Sequence, residues 1–107
     1  MYSFNSKNFD CSLEAITYLL GTKWRSHILW HLTKEKLRFS QLRDLIPKIS
    51  KKALSEQLRI LEKEDLIKRT VYHTVPPSVE YEATKKGQSL ESILDELIVW
   101  SKENLES

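Results

Sequence analysis

Residues 40–65 read SQLRDLIPKISKKALSEQLRILEKED, and this stretch decides the fold. Ser40 is a residue type typical of a helix N-cap. Leu42, Leu45 and Ile46 then give a short helix one apolar face. Pro47 ends this helix, because proline cannot continue a helix and disfavours helical geometry in the residue before it.

A second, longer helix is predicted to begin after Ser50, which is again a good N-cap. Leu54, Leu58 and Leu61 recur at i, i+4 and i+7, and lie within about 60° of one another around the helix axis. Ile49 is the one apolar residue of the turn and is expected to fill the angle between the helices. Two helices of this kind, the second with a basic, polar outer face, are typical of a DNA-reading helix-turn-helix. An ordinary αα-corner in a small helical domain is the alternative.

The residues after this motif predict a β-hairpin. Residues 66–73 (LIKRTVYH) and 79–83 (VEYEA) alternate in polarity and are rich in β-branched and aromatic residues, so both are predicted strands. Pro76 and Pro77 remove backbone donors between them and predict a stiff tip. A hairpin directly after a recognition helix is a wing, and residues 37–39 suit a third short strand that leads into the Ser40 cap.

Helices are also predicted before the helix-turn-helix and after the hairpin. Ser12 is the predicted cap of a first helix over residues 12–20, which Gly21 ends. Residues 23–33 predict a second helix, whereas residues 1–9 are polar with scattered aromatics and predict a loose arm. Thr84 is the predicted cap of one long last helix over residues 85–104, with Gly87 in its first turn.

The last helix is apolar over more of its circumference than one packing surface requires. Its apolar residues cover an arc of about 160° between Leu90 and Trp100. An amphipathic surface helix needs only about 100°. The excess predicts homodimerisation through the terminal helices, although a helix that merely roofs the core is the alternative. The predicted interface residues are Leu13, Ile16, Leu90, Ile93, Leu94, Leu97, Ile98 and Trp100.

Composition limits the class of protein. The 107 residues suffice for a single domain with its own core. No apolar run is long enough to span a membrane, no signal-peptide pattern is present, and one cysteine rules out an internal disulfide. We therefore expect a cytoplasmic protein. Residues 34–69 hold eleven Lys and Arg against six Asp and Glu, so basic charge concentrates on the helix-turn-helix as expected for a polyanion partner.

Neither a metal site nor an enzyme is predicted. His27 and His31 stand at i and i+4, but zinc needs further ligands and Ile28 occupies the place of the glutamate in an H-E-x-x-H motif. A structural or solvated histidine pair is the favoured interpretation, so we expect no metal and no cofactor. No glycine-rich phosphate loop or nucleophile elbow occurs.

Eight short segments together form a specific family signature, although each segment alone is weak evidence. They are 11–15 (CSLEA), 21–24 (GTKW), 28–32 (ILWHL), 37–42 (LRFSQL), 49–54 (ISKKAL), 57–59 (QLR), 75–81 (VPPSVEY) and 84–87 (TKKG). From about Cys11 to Trp100, the chain resembles the HxlR-type winged-helix regulators. The predicted fold is therefore mainly α, of the α+β type: a winged helix-turn-helix over residues 40–65, a wing over 66–83, and flanking dimerisation helices.

The resemblance implies a bacterial transcription regulator that binds a near-palindromic DNA operator as a homodimer, with the helix after Ser50 in the major groove. It also implies a candidate redox-sensing thiol at Cys11, because some family members sense oxidants or electrophiles through a cysteine there. Ser12 replaces the usual proline after that cysteine, and no second cysteine is available for a bridge between two different positions. The operator, the signal and the sign of regulation stay open.

Candidate DNA contacts lie on the second helix of the motif, before it, and on the wing. They are Arg38, Ser40, Gln41, Lys48, Ser50, Lys51, Lys52, Ser55, Glu56, Arg59, Lys68, Arg69, His73, Thr74 and Ser78. A winged-helix module that binds RNA or another protein is the alternative function. Duplex RNA has a major groove too narrow for a recognition helix, so competition between duplex DNA and RNA would separate the two.

Overall fold

The computed structural model describes Met1–Ser107 and combines helices with two small antiparallel sheets. In chain order the elements are β1 (Tyr2–Phe4), β2 (Lys7–Phe9), α1 (Ser12–Leu20), α2 (Arg25–Lys34), β3 (Leu37–Arg38), α3 (Phe39–Leu45), α4 (Lys51–Lys63), β4 (Ile67–Tyr72), β5 (Ser78–Ala83), α5 (Lys85–Gln88) and α6 (Glu91–Asn104). The predicted α+β winged helix-turn-helix is confirmed. None of the helices is both long enough and apolar enough to cross a membrane.

The turn between α3 and α4 follows the sequence prediction closely. Ile49 is buried in the angle between the two helices, and Leu54, Leu58 and Leu61 point from α4 into the core. The Ala53 N–H donates to Ser50 Oγ at 3.0 Å, so the predicted Ser50 cap is confirmed. These contacts fix α4 by one face and leave the other in solvent.

The predicted Ser40 cap is wrong. Helix α3 begins at Phe39, and its N-cap position is Arg38. The Arg38 N–H donates to Gln41 Oε1 at 2.8 Å, so a glutamine side chain from within the first turn satisfies the backbone there. The reason is that β3 runs directly into α3 and leaves no intervening residue for a separate cap.

Helix α2 lies at the centre of the core. Its residues Ile28, Leu29 and Leu32 are fully buried, and α2 packs against α1, α4, α6 and β5. The helix runs from Arg25, two residues later than predicted. These contacts position α1, α4 and α6 relative to α2.

The wing is an antiparallel sheet with strand order β3-β5-β4. Strand β5 pairs with both neighbours, with Lys68 opposite Glu82 and Arg38 opposite Glu80. Lys68 Nζ lies 3.7 Å from Glu82 Oε1, and Lys36 Nζ lies 3.5 Å from Glu82 Oε2. The predicted three-stranded sheet is therefore confirmed.

The N-terminal residues form a β-hairpin rather than the predicted loose arm. Strands β1 and β2 are joined by Asn5 and Ser6, whose φ angles of 51° and 66° are typical of a two-residue type I′ turn. Phe4 is buried and meets the Tyr18 ring edge-on, with centroids 6.1 Å apart. The strands have three residues each, so their alternation was too short to be read from the sequence.

The predicted single last helix is also wrong, because α5 ends at Gln88 and α6 begins at Glu91. The Thr84 cap is confirmed, since the Gly87 N–H donates to its hydroxyl at 3.1 Å. A Cβ on residue 87 would lie 2.1 Å from the Leu66 carbonyl oxygen, so only glycine allows α5 to approach the start of β4 this closely. The chain then turns before α6. At the other end of the chain, the N-cap position of α1 is Cys11 and not the predicted Ser12.

Candidate nucleic-acid interface

Helix α4 presents a basic, polar face to solvent. Lys52, Ser55, Glu56 and Arg59 are exposed away from its buried leucines, and Lys51 is exposed as the first residue of the helix. None of its three basic residues on this face forms an ion pair within the protein, whereas the ion-paired lysines lie elsewhere. Their charges are therefore free to meet an external anion. The free N–H groups and positive dipole end of a helix N-terminus also favour phosphate.

The remaining candidate DNA contacts border α4 on two sides. The exposed candidates there are Arg38 at the end of β3, Ser40 and Gln41 on α3, and Lys48 in the turn. Ser50 is exposed too, although its hydroxyl already accepts the cap bond. On the wing, Lys68, Arg69, His73 and Thr74 are exposed, whereas Ser78 is half-buried. The Thr74 hydroxyl donates to the Pro76 carbonyl at 2.7 Å and so stiffens the tip.

Two residues near this surface were not predicted from the sequence. Val75 is fully exposed at the proline tip of the wing, where an apolar side chain is unusual for a solvated loop. Arg25, in contrast, is buried beside α4. A single arginine near a helix start gives no sequence signal for burial, because such residues are almost always exposed.

Helices α1 and α6 carry exposed apolar side chains away from the helix-turn-helix. Leu13 is 66% exposed and Trp100 57% exposed, with Ile93 and Leu97 also exposed. Of the other predicted interface residues, Ile16, Leu90 and Ile98 are half-buried, and Leu94 is buried in the core of the chain. An open groove of about 500 Å³ runs between α2 and α6. Its apolar lining includes Leu20, Trp30, Leu94, Leu97 and Ile98.

The orientation of α6 is fixed by polar contacts to α2. Trp30 Nε1 donates to Asp95 Oδ1 at 2.8 Å, and Lys34 Nζ lies 3.0 Å from both Asp95 oxygens. The Trp30 indole, and then the Lys34 ammonium, hold the pKa of the Asp95 carboxyl below its ordinary value. These contacts hold the exposed apolar side of α6 in one direction.

Cys11 and the histidine pair lie apart from α4. Cys11 is exposed at the N-cap position of α1. His27 and His31 stack with ring centroids 5.0 Å apart. Burial, and next the neighbouring His27, lower the pKa of His31, so His31 is neutral at neutral pH. No group of three or more His, Cys, Asp or Glu side chains has a geometry that could hold a metal ion.

A helix with an exposed polar face, a tight turn anchored by a buried isoleucine and a three-stranded wing define a winged helix-turn-helix protein. Residues 19–107 match the family model described as HxlR-like helix-turn-helix. The chain belongs to this family and is a transcriptional regulator, which agrees with the predictions that it binds nucleic acid through a helix-turn-helix and is not an enzyme.

Similar proteins include regulators with solved structures. The chain is 46% identical over 99 residues to the uncharacterized HTH-type transcriptional regulator YtcD of Bacillus subtilis, an alignment covering 92% of this chain and 79% of YtcD. The redox regulator HypR in its oxidized form has a TM-score of 0.82 at 37% identity, covering 88% of this chain and 97% of HypR. Reduced YodB from B. subtilis has a TM-score of 0.79 at 32% identity, and the match covers 92% of this chain and 97% of YodB. YodB structures also include quinone-bound and diamide-treated forms.

Proposed function

We propose that this protein binds a near-palindromic duplex DNA operator as a homodimer, in the cytoplasm, and regulates transcription from it. The exposed, ion-pair-free basic face of α4 is the observation that carries this proposal. The wing adds Lys68 and Arg69 beside it. In this arrangement the N-terminal half of α4 enters the major groove, and the wing reaches the DNA backbone or the minor groove next to it.

Arg59→Ala is expected to weaken operator binding by about 1–3 kcal/mol if the guanidinium contacts a guanine edge. Arg59 is exposed on α4 and its charge has no internal partner. Fluorescence anisotropy would measure binding to a duplex selected from a random library and to single-base variants of it. Loss confined to particular positions indicates base reading, and equal loss on all sequences indicates a phosphate contact.

Lys7→Ala serves as the control for Arg59→Ala, because Lys7 is an exposed cation on the N-terminal hairpin, outside the proposed DNA surface and outside the proposed dimer helices. It is expected to leave the sequence preference unchanged. Unaltered binding by Arg59→Ala on every duplex would remove Arg59 from the interface. Abolition of duplex binding by excess competitor RNA would instead favour an RNA-binding module.

The proposed dimer forms through α1 and α6. Its support is the set of exposed apolar side chains on these helices and the open apolar groove beside them. Dimerisation of this kind would remove Leu13, Leu97 and Trp100 from water, with about 25 cal/mol gained per Å² of apolar area buried. A two-fold dimer would place two copies of α4 about one DNA turn, or a multiple of it, apart.

We also propose that Cys11 is a redox-sensing thiol. It is exposed at the N-cap position of α1, where an oxidant can reach the sulfur. Similarity to HypR, a redox regulator, supports the idea at the level of the family. With one cysteine in the chain, a peroxide or hypochlorite would give a sulfenic acid. That acid can then condense with a small thiol or with Cys11 of a second copy, with loss of water.

Oxidation is expected to change operator binding by the wild-type chain and not by Cys11→Ser. The measurement is operator affinity before and after hypochlorite, with the mass of the intact protein recorded at each step. An equal response of the two proteins, or no response of either, would show that Cys11 is not the sensor. Cysteine-to-serine replacement is a suitable control, since it changes one exposed atom.

A further inference from the structure

Arg25 is a buried cation that has no carboxylate partner. It is the first residue of α2 and is only 2% exposed. No ion pair in the structure includes it. Charged side chains are almost never this buried unless their charge is balanced. The neighbouring groups must therefore supply that balance.

Its neighbours come from three different elements. Arg25 Nε donates to Gln57 Oε1 on α4 at 3.0 Å. Arg25 Nη1 donates to the carbonyl oxygens of Tyr18 at 3.2 Å and Leu19 at 3.4 Å, both in the last turn of α1. The guanidinium carbon also lies 4.9 Å from the centre of the Phe4 ring, on the N-terminal hairpin.

These neighbours stabilise the charge with dipoles and aromatic faces. The last carbonyls of a helix form its negative end, and α1 has no basic residue of its own in its last turn. Aromatic faces attract a guanidinium placed over them. Burial lowers the pKa of Arg25 and the Tyr18 hydroxyl opposes this, but an arginine stays charged in a protein. The planar guanidinium thus binds α1 and α4 at once.

The N-terminal hairpin makes a second connection to the same helix. The Asn5 N–H donates to Glu64 Oε1, and Lys63 Nζ donates to Ser6 Oγ at 3.0 Å. Both contacts hold the C-terminal end of α4, whereas Gln57 lies at its middle. Helix α4 is therefore held by α1 and the hairpin at two separate points.

We propose that Arg25 is a positioning residue that fixes the orientation of the recognition helix α4 relative to α1. The inference rests on the proposed function, because α1 is there a dimer helix. In that dimer the Arg25–Gln57 hydrogen bond sets the spacing and tilt of the two α4 helices. It also carries any displacement of α1, including one caused at Cys11, to the DNA-reading surface.

The first test needs no DNA. Gln57→Leu removes the acceptor on α4 but leaves the contacts of Arg25 with α1 and Phe4, and Gln57→Glu keeps an acceptor. In Gln57→Leu, amide hydrogens of α4 should exchange about tenfold faster than in the wild type, while those of α6 keep their rates. Gln57→Glu should restore wild-type rates. Arg25→Gln should speed the exchange of α4 at least as much, and also that of α1, because it removes the bonds to the Tyr18 and Leu19 carbonyls too. The double variant should be no worse than Arg25→Gln alone.

Thr33→Ala is the matched control for destabilisation. Thr33 is the other buried polar residue of α2, and its hydroxyl bonds only to the Trp30 carbonyl at 2.6 Å, within the same helix. It should raise exchange throughout the chain without singling out α4. Equal exchange of α4 in Gln57→Leu and the wild type, or a general rise as in the control, would overturn the proposal.

The second test measures how the affinity for DNA depends on the spacing between half-sites. Duplexes selected from a random library with the wild-type protein are lengthened or shortened between half-sites by one and two base pairs. Wild type and Gln57→Glu should lose about tenfold or more in affinity when the spacing changes, and Gln57→Leu should lose markedly less. Identical spacing dependence in all three would overturn the proposal. If the wild type enriches no duplex, the proposed function fails, while the exchange measurement still decides the role of Arg25.

Discussion

A chain that carries Leu97→Glu is expected to sediment as a folded monomer at concentrations at which the wild-type chain is a dimer. Leu97 is 49% exposed on α6, where it lines the open groove, so a glutamate there is tolerated by the isolated chain. In the dimer it would be buried against the partner without a cation. Like charges or unpaired charges at an interface cost several kcal/mol, so a loss of about 3 kcal/mol, or about a hundredfold in the dissociation constant, is expected. Sedimentation velocity over a concentration series measures it.

Ser92→Glu is the matched control for this variant. Ser92 is exposed on the same helix, and five residues separate it from Leu97, which places the two about 140° apart around the axis. The control adds the same charge outside the apolar arc and should stay dimeric. A wild-type monomer at micromolar concentration would end the dimer proposal. A Leu97→Glu chain that still dimerises would move the interface away from α6.

The helix-turn-helix was predictable because its local and tertiary requirements coincide. Ser50 is a good cap by residue type, and the backbone places it where a cap is needed. The three leucines of α4 follow the helical period and lie on its buried side. Such agreement between local preference and final packing makes a short sequence informative. The exposed candidate residues of α4 follow from the same period.

The features that were missed depend on distant partners. Phe4 is buried because Tyr18 and Arg25 lie under it, and three-residue strands give no period to detect. The close approach of α5 to the start of β4 depends on Gly87, which lies against the Leu66 carbonyl, some twenty residues earlier in the chain. An apolar pattern predicts that a segment packs as a helix, but not where that helix is interrupted.

The candidate site also contains residues that the sequence predicts and residues that it does not. Residues that face solvent on a regular helix could be named from spacing alone, whereas Arg25 could not. Its role depends on Gln57, thirty-two positions away. Within α4 the sequence therefore identifies the side chains that would meet the DNA. The residues that would orient these side chains can be identified only from the three-dimensional arrangement of α1, α2 and the N-terminal hairpin.

Operator affinity is expected to fall by about 10³–10⁵ between 50 and 200 mM salt. This follows from about 6–10 phosphate contacts per dimer, since each contact releases condensed counterions from the duplex. The free cations on α4, with Lys48 beside them and Arg69 on the wing, can supply that number. Anisotropy titrations at four salt concentrations give the slope of log affinity against log salt.

Removing two of these cations from each chain should reduce the slope of log affinity against log salt in proportion to the number of charges lost. Lys51→Ala with Lys52→Ala deletes four charges per dimer, and the slope should become shallower by about 4, or about 1 per phosphate contact. Lys7→Ala is the control, because Lys7 lies on the N-terminal hairpin and its ammonium group packs over the Tyr18 ring of α1. The turn of this hairpin contacts the C-terminal end of α4, away from Lys51 and Lys52. A wild-type affinity that is flat across this salt range would mean that DNA is not the main partner. A slope lowered equally by Lys7→Ala would mean that general charge, and not the α4 face, drives binding.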